Sequence, residues 1–208
     1  MKKPIKDIAR VRPGYQFRGR VEPDPAGNVA FIQIKDFDEN HRLVPDDVVC
    51  IDFRRPIEPF QARPGDVLFL SRGHRLFATP LDDPPEGAIV TGYFFILRPD
   101  RDVVLPEYLA WSINQPAFQA RLTPLVKGSH MPQVARADFE QLDINVPPFE
   151  TQHLVMRLNG LWEREQDLVT RIQQARQQLL QAVTHGITSG RLAPPPTGTI
   201  PTRKVANP

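Results

Sequence analysis

PPFETQHLVMRLNGLWEREQDLVTRIQQARQQLLQAVTHGITSGRL, running from Pro147 to Leu192, is the stretch whose reading decides the architecture. A Pro-Pro-Phe-Glu-Thr-Gln hinge opens it. Beyond the hinge Leu154, Leu158, Leu161, Glu165, Leu168, Ile172, Ala175 and Leu179 follow one another at alternating steps of four and three. That spacing lays them along one stripe of a helix, and it is the spacing of helices that pair as coiled coils. Glu165 is the one charge in the seam. The periodicity predicts a helix over 151–185, which at 1.5 Å per residue extends roughly 50 Å, far longer than an average globular helix. Such a helix acts as a ruler or as a docking arm.

The rest of the chain is sized for a single core. Its 208 residues, 40% of them hydrophobic, can bury one substantial core and carry a small appendage. The expected partition is a domain over 1–146, the helical arm over 147–192 and a disordered Pro-rich tail over 193–208, beginning Ala193-Pro194-Pro195-Pro196. No apolar run approaches the roughly 18 residues of a membrane span, and Met1-Lys2-Lys3 leads into no signal-peptide core, so a cytoplasmic protein is expected. The lone Cys50, in Val48-Val49-Cys50-Ile51, excludes a disulfide framework and a cysteine-rich zinc site, and reads as a buried strand residue.

A net charge of +2 conceals a basic end. Residues 1–20 hold Lys2, Lys3, Lys6, Arg10, Arg12, Arg18 and Arg20 against Asp7 alone. Clustered cations favour an approach to phosphates by releasing counterions, although a solvated basic segment has the same composition. Between this end and the helix, short β-branched or aromatic runs at 31–34, 48–53, 67–70, 75–78, 89–91 and 93–97 are bounded by Pro, Gly and Asp. They read as strands. Pro106 and Pro116 are placed to start helices through Asn114 and Leu122, and 138–142 suggests another helical turn. The fold class is therefore α+β, a strand-rich domain followed by a long C-terminal helix.

Several short motifs then fall into a recognisable order. Lys6-Asp7-Ile8 precedes Gly14. Asn28-Val29-Ala30-Phe31-Ile32-Gln33-Ile34-Lys35-Asp36-Phe37 is a strand with a trailing Asp, and Pro64-Gly65-Asp66-Val67-Leu68-Phe69-Leu70-Ser71-Arg72-Gly73 follows. Val104-Leu105-Pro106-Glu107-Tyr108-Leu109-Ala110-Trp111, Lys127-Gly128-Ser129, and Leu142-Asp143-Ile144-Asn145-Val146 with Pro147-Pro148-Phe149-Glu150-Thr151-Gln152 complete the series. In order and spacing these resemble the DNA-specificity (S) subunits of type I restriction-modification systems over nearly all of residues 1–190. Family members usually carry two target-recognition domains and two such helices, whereas one of each is visible here, without internal repeat. The resemblance implies a half-subunit form that recognises double-stranded DNA through its domain. It also implies a helix that holds the domain at a distance from a second one and docks methyltransferase (M) subunits, with a translocating restriction (R) subunit as a further possible partner. S-adenosylmethionine is then expected on the methyltransferase, and no cofactor in this chain.

Three loops are the candidates for DNA contact. The first, residues 12–20, offers Arg12, Tyr15, Arg18 and Arg20 with two glycines that permit close backbone approach. The second offers Arg72, His74 and Arg75. Lys127, Ser129, His130 and Gln133 make up the third. Arginine pairs bidentately with guanine and glutamine with adenine in the major groove, so Arg72, Arg75 and Gln133 are the preferred base readers. Phosphate contact or plain solvation is the competing role for each.

Enzymatic readings fail on particular residues. Asp83-Pro84-Pro85-Glu86 lacks the aromatic ring an adenine methyltransferase stacks on its flipped base, and Val146-Pro147-Pro148-Phe149 lacks the polar residue before the prolines. Neither a glycine-rich nucleotide-binding turn nor a P-loop occurs. Gln33-Ile34-Lys35 with Asp24 could imitate part of a metal-dependent nuclease core, but a strand with outward polar positions explains it. The histidines show no metal-ligand spacing. No catalytic or metal residue is expected. A stand-alone DNA-binding regulator is the alternative function, and an assembly protein a third. If two copies pair their helices antiparallel, two-fold symmetry predicts an interrupted palindrome as target and sets Glu165 of one copy opposite Arg171 of the other about an axis near Leu168.

Overall fold

The computed structural model describes residues 1–17, 19 and 21–190. Arg18, Arg20 and the expected tail over 193–208 lie outside the described residues. Strands β1 (Lys2–Pro4), β2 (Ala9–Pro13), β3 (Val29–Ile32), β4 (Val49–Ile51), β5 (Val67–Leu70), β6 (Ala78–Pro80), β7 (Ile89–Val90) and β8 (Phe94–Pro99) precede helices α1 (Pro106–Asn114) and α2 (Pro116–Leu122). The hairpin β9 (Val126–Lys127) and β10 (Gln133–Val134), helix α3 (Arg136–Glu140), strand β11 (Asp143–Asn145) and helix α4 (Phe149–Thr188) follow. The chain divides into two units, Met1–Arg157 and a second beginning at Leu158, so the first turns of α4 belong to the globular unit.

An antiparallel sheet in the order β2-β8-β5-β6 organises the globular unit. All four residues of β5 are buried, because this strand has no wet face. Side chains alternate across a strand, and here each side has its own core. Val67 and Phe69 of β5 and Phe95 and Leu97 of β8 face a core shared with α1, α2 and α3. Leu68, Leu70, Phe94 and Ile96 face the opposite way, against Ile32 and Val90 of a second sheet ordered β4-β3-β7. That second sheet repeats the device: Ile32 points to the shared layer while Val29 and Phe31 build a third core with Ile51, Phe53 and Ile89. Each fully buried large side chain contributes about 1.5–3 kcal/mol by leaving water, so the two-faced strands concentrate the stability of the unit.

Five expectations are corrected. Gln33-Ile34-Lys35 does not lie in a strand: β3 ends at Ile32, and Ile34–Asp36 is a 3-10 turn closed by a reciprocal bond between Gln33 and Asp36. Residues 9–13 form an edge strand rather than the start of a loop, with Ala9 and Val11 buried and Arg10 exposed. The strand expected over 75–78 begins at Ala78, since the Arg-Gly-His-Arg segment before it turns out of the sheet. Cys50 lies in β4 as expected but is half-buried, on the outer strand of its sheet. Helix α4 starts two residues earlier and ends three residues later than its apolar period alone delimits.

The hinge motif finds its purpose at the start of α4. Gln152 is completely buried. Its Nε2 donates to the carbonyls of Pro147 (2.9 Å) and Val103 (3.1 Å), and its Oε1 accepts from the backbone N–H of Leu105 (2.9 Å). Leu105 precedes Pro106 at the head of α1, so one amide ties the entrances of two helices together. Strand β1 pairs antiparallel with β11, and the Tyr108 hydroxyl donates to the carbonyl of Asn145 at 3.0 Å, which fixes the segment leading into the hinge. Val155 and Met156 pack against the helical core. Further along α4 the whole predicted seam, Leu154, Leu158, Leu161, Glu165, Leu168, Ile172, Ala175 and Leu179, is exposed, as are Trp162, Val169, Leu180, Val183 and Ile187. No helix among the described residues is long and apolar enough to cross a membrane.

Candidate nucleic-acid interface

Where β5 ends, Ser71 is buried and fastened twice: its N–H and its Oγ both donate to the carbonyl of Tyr93, each at 2.9 Å. The carbonyl of Ser71 accepts from Val134 N–H at 3.0 Å, Gly73 N–H donates to the Pro132 carbonyl at 2.8 Å, and Arg72 forms a β-bridge with Gln133. The second and third candidate loops are therefore one construction. Gly73 sits at φ +131°, a backbone region that L side chains rarely adopt, and this lets the loop turn directly after Arg72.

The construction is cationic. His74, Arg75, Lys127, Ser129, His130, Met131 and Gln133 are exposed and Arg72 is half-buried. No Asp or Glu occurs in 71–77 or 126–134. Among the described residues none of Arg72, Arg75 and Lys127 has a carboxylate partner. Unpaired, exposed cations on a rigid base are what a polyanion requires, since binding then breaks no existing ion pair. A third segment joins them through His41, whose ring stacks on Phe77 at 3.8 Å between centroids and an 11° interplanar angle. Burial, and then the charge of Arg75, lower its pKa below the ordinary histidine value.

The first loop divides differently. Arg12 donates through Nη1 to the carbonyl of Glu58 (3.0 Å) and through Nη2 to that of Gln61 (3.5 Å). These bonds brace the 58–61 segment, and burial, then the charge of the neighbouring Arg98, lower the Arg12 pKa from its ordinary value. Tyr15 packs edge-on against Phe17, Phe53 and Phe60, all at about 5 Å, with Arg55 over its ring at 5.9 Å. It belongs to the third core. Its backbone still reaches the same edge: Tyr15 N–H donates to Val90, and Gly92 N–H donates to the Tyr15 carbonyl, two residues before β8 and beside Tyr93. Gly14 is required there, because a Cβ would lie 2.2 Å from the carbonyl oxygen of Thr91.

Two exposed apolar residues at this edge, Tyr93 and Met131, were not singled out from the sequence. Tyr93 was readable as the odd member of Tyr93-Phe94-Phe95-Ile96-Leu97, in which every later residue is buried. A surface cleft of about 460 Å³ between Lys6–Val11, Arg98–Asp100 and Glu140 mixes both signs of charge, unlike the loop surface. Nearby, Asp66 is buried and accepts a two-point bond from Arg98, Nε to Oδ1 at 2.8 Å and Nη2 to Oδ2 at 2.7 Å. This bond raises the pKa of Arg98, and Asp66 also accepts from the N–H of Arg63 at 3.0 Å. The pair locks the Gly65-Asp66 turn at the other end of β5. Among the described residues no group of three or more His, Cys, Asp or Glu is arranged to hold a metal.

No protein-family profile matches the chain. A curated relative is the specificity subunit of the type I restriction enzyme HindI from Haemophilus influenzae, 25% identical over 125 residues, which are 57% of this chain and 27% of that protein. Among solved structures, one describing complex assembly and conformational transition of the type I R-M system matches 97% of this chain and 51% of its own at TM-score 0.62 and 21% identity. The S subunit from M. genitalium matches 91% of this chain and 46% of its own at TM-score 0.56 and 12% identity. The HsdS subunit from Thermoanaerobacter tengcongensis matches 89% and 44% at TM-score 0.56 and 19% identity. The chain thus spans about half of each of these solved chains and a smaller part of the curated relative. In sequence over those 125 residues, and in fold over nearly its whole described length, it has the likeness of a type I restriction-modification specificity subunit.

Proposed function

We propose that this chain is a DNA-recognition component of a type I-like restriction-modification system, reading one half of a bipartite site in double-stranded DNA and positioning methyltransferase subunits that bind S-adenosylmethionine. The observation that carries the reading is the joined pair of loops, 71–75 and 127–133, beside the end of a strand sealed on both faces, with Arg72, Arg75 and Lys127 lacking carboxylate partners among the described residues. The chemistry of this chain is hydrogen bonding, electrostatics and positioning, while methyl transfer belongs to the partner. Its test is binding to duplex DNA as a function of salt. Lys127→Ala should weaken all sequences alike and reduce the slope of log affinity against log salt by about one, the share of one phosphate contact. Arg72→Ala or Arg75→Ala should instead cost about 1–3 kcal/mol and relax preference at a single base pair. Binding that is insensitive to salt and to all three substitutions refutes the proposal. The alternative of a stand-alone regulator is disfavoured because the likeness in fold to S subunits extends over 91% and 89% of the chain, more than the globular unit alone.

The exposed seam of α4 favours a second copy as one occupant, paired antiparallel. An axis near Leu168 sets Glu165 opposite Arg171, which in its own chain meets Asp167 only at 3.8 Å between two largely exposed groups, a weak contact. The target is then an interrupted palindrome. Glu165→Arg should lower the dimer fraction seen by light scattering, and an unchanged dimer rules out this register.

A further inference from the structure

We infer that Tyr93 and Met131 form an apolar contact to the C5-methyl group of a pyrimidine in the major groove, so that the half-site contains a thymine read by its methyl. The inference deepens the DNA-recognition reading and rests on it. In the globular unit the exposed large hydrophobic residues are Met1, Ile34, Tyr93, Met131 and Leu154. Two of the five flank the same cationic loop. The Tyr93 carbonyl accepts both bonds from Ser71, while Pro132, next to Met131, accepts from Gly73. The backbone thus holds both residues against the loop that carries Arg72 and Arg75, and their side chains stay exposed.

Phosphates give nothing to an apolar surface. Beside cations that draw in DNA, the Met131 side chain and the ring of Tyr93 gain by covering apolar atoms, and in the major groove of an intact duplex these are the thymine methyl groups; the Tyr93 hydroxyl can also bond a phosphate, a contact that Tyr93→Phe removes while keeping the ring. Insertion of Met131 between bases is the competing apolar contact; it requires unstacking and gains nothing from the C5 methyl, so the thymine-to-uracil ratio separates the two. A buried methyl is worth on the order of fourfold in affinity.

The experiment takes the full chain, selects its preferred duplex from a randomised library, and replaces each thymine in turn by deoxyuridine, which removes the C5 methyl alone. The native chain should lose on the order of fourfold at one position at least. Tyr93→Ala should bind the thymine duplex more weakly and show a thymine-to-uracil ratio near one there, whereas Tyr93→Phe should keep the native ratio. Met131→Ala should reduce the same ratio without touching other positions. Thermal melting checks that each variant is folded. A half-site lacking A·T pairs, a native ratio near one throughout, or a native-sized ratio surviving in Tyr93→Ala overturns the inference while leaving DNA recognition intact. A chain that enriches no sequence fails the recognition reading itself, and the inference falls with it.

Discussion

Replacing Gln152 with alanine strips three partly buried backbone groups of their partners at once. The Leu105 N–H and the carbonyls of Val103 and Pro147 all bond to this one amide, which is itself completely buried. A typical hydrogen bond contributes about 1 kcal/mol net, and a buried group left unpaired costs about 1–3 kcal/mol. Water entering the vacated space relieves part of that loss. The expected destabilisation is therefore about 2–4 kcal/mol, which for a protein of this size lowers Tm by roughly 2–4 °C per kcal/mol. Urea unfolding followed by circular dichroism measures it, with Trp111 fluorescence reporting on the neighbouring α1. Gln152→Glu is the sharper control. It retains size and an acceptor for Leu105, yet as a carboxylate it has no N–H for either carbonyl and must be buried charged or take up a proton. Its cost should equal or exceed that of Gln152→Ala. A loss below about 1 kcal/mol for alanine, or a glutamate variant as stable as the native chain, refutes the claim that this amide joins the two helix entrances.

Two further effects follow from buried charge and ring stacking. Arg98→Met leaves the Asp66 carboxylate buried with only the N–H of Arg63, and should cost about 2–3 kcal/mol, less than for a wholly buried pair because Arg98 is partly exposed. The double change with Asp66→Asn should cost less than the two single changes added together, which chemical denaturation of the four proteins decides. His41 should titrate below its ordinary 6.5, because burial and Arg75 oppose its protonation. The unfolded chain then binds the proton more readily than the native one, so the contribution is fully present above pH 6.5 and is lost as pH falls through the lower native value. An NMR titration of His41 with a midpoint at or above 6.5 contradicts the stacked arrangement.

Legibility in the sequence followed the range of the interactions. Helices α1 and α2 were readable because Pro106 and Pro116 mark first turns locally, and β5 because Val67-Leu68-Phe69-Leu70 is short, apolar and bounded by Gly65 and Ser71. Residues 9–13 alternate Ala, Arg, Val, Arg and so carried a strand pattern, but their charge spoke first. Likewise loops 71–75 and 127–133 could each be named as a candidate, while their union depends on bonds between residues that no local pattern connects. Arg12 shows the limit most clearly. A basic residue near a glycine reads as a nucleic-acid contact, and only the fold brings carbonyls 46 and 49 residues away to its guanidinium.

The sealed strand has an evolutionary consequence. With both sides of β5 engaged in cores and Ser71 anchored by its own backbone and hydroxyl, folding draws on residues other than those of the proposed DNA contact. Positions 72, 74, 75 and 129–131 are therefore open to replacement without disturbing the chassis that presents them. Under the proposed DNA reading, a new specificity needs only a few letters rewritten in these loops, with the residues beneath unchanged.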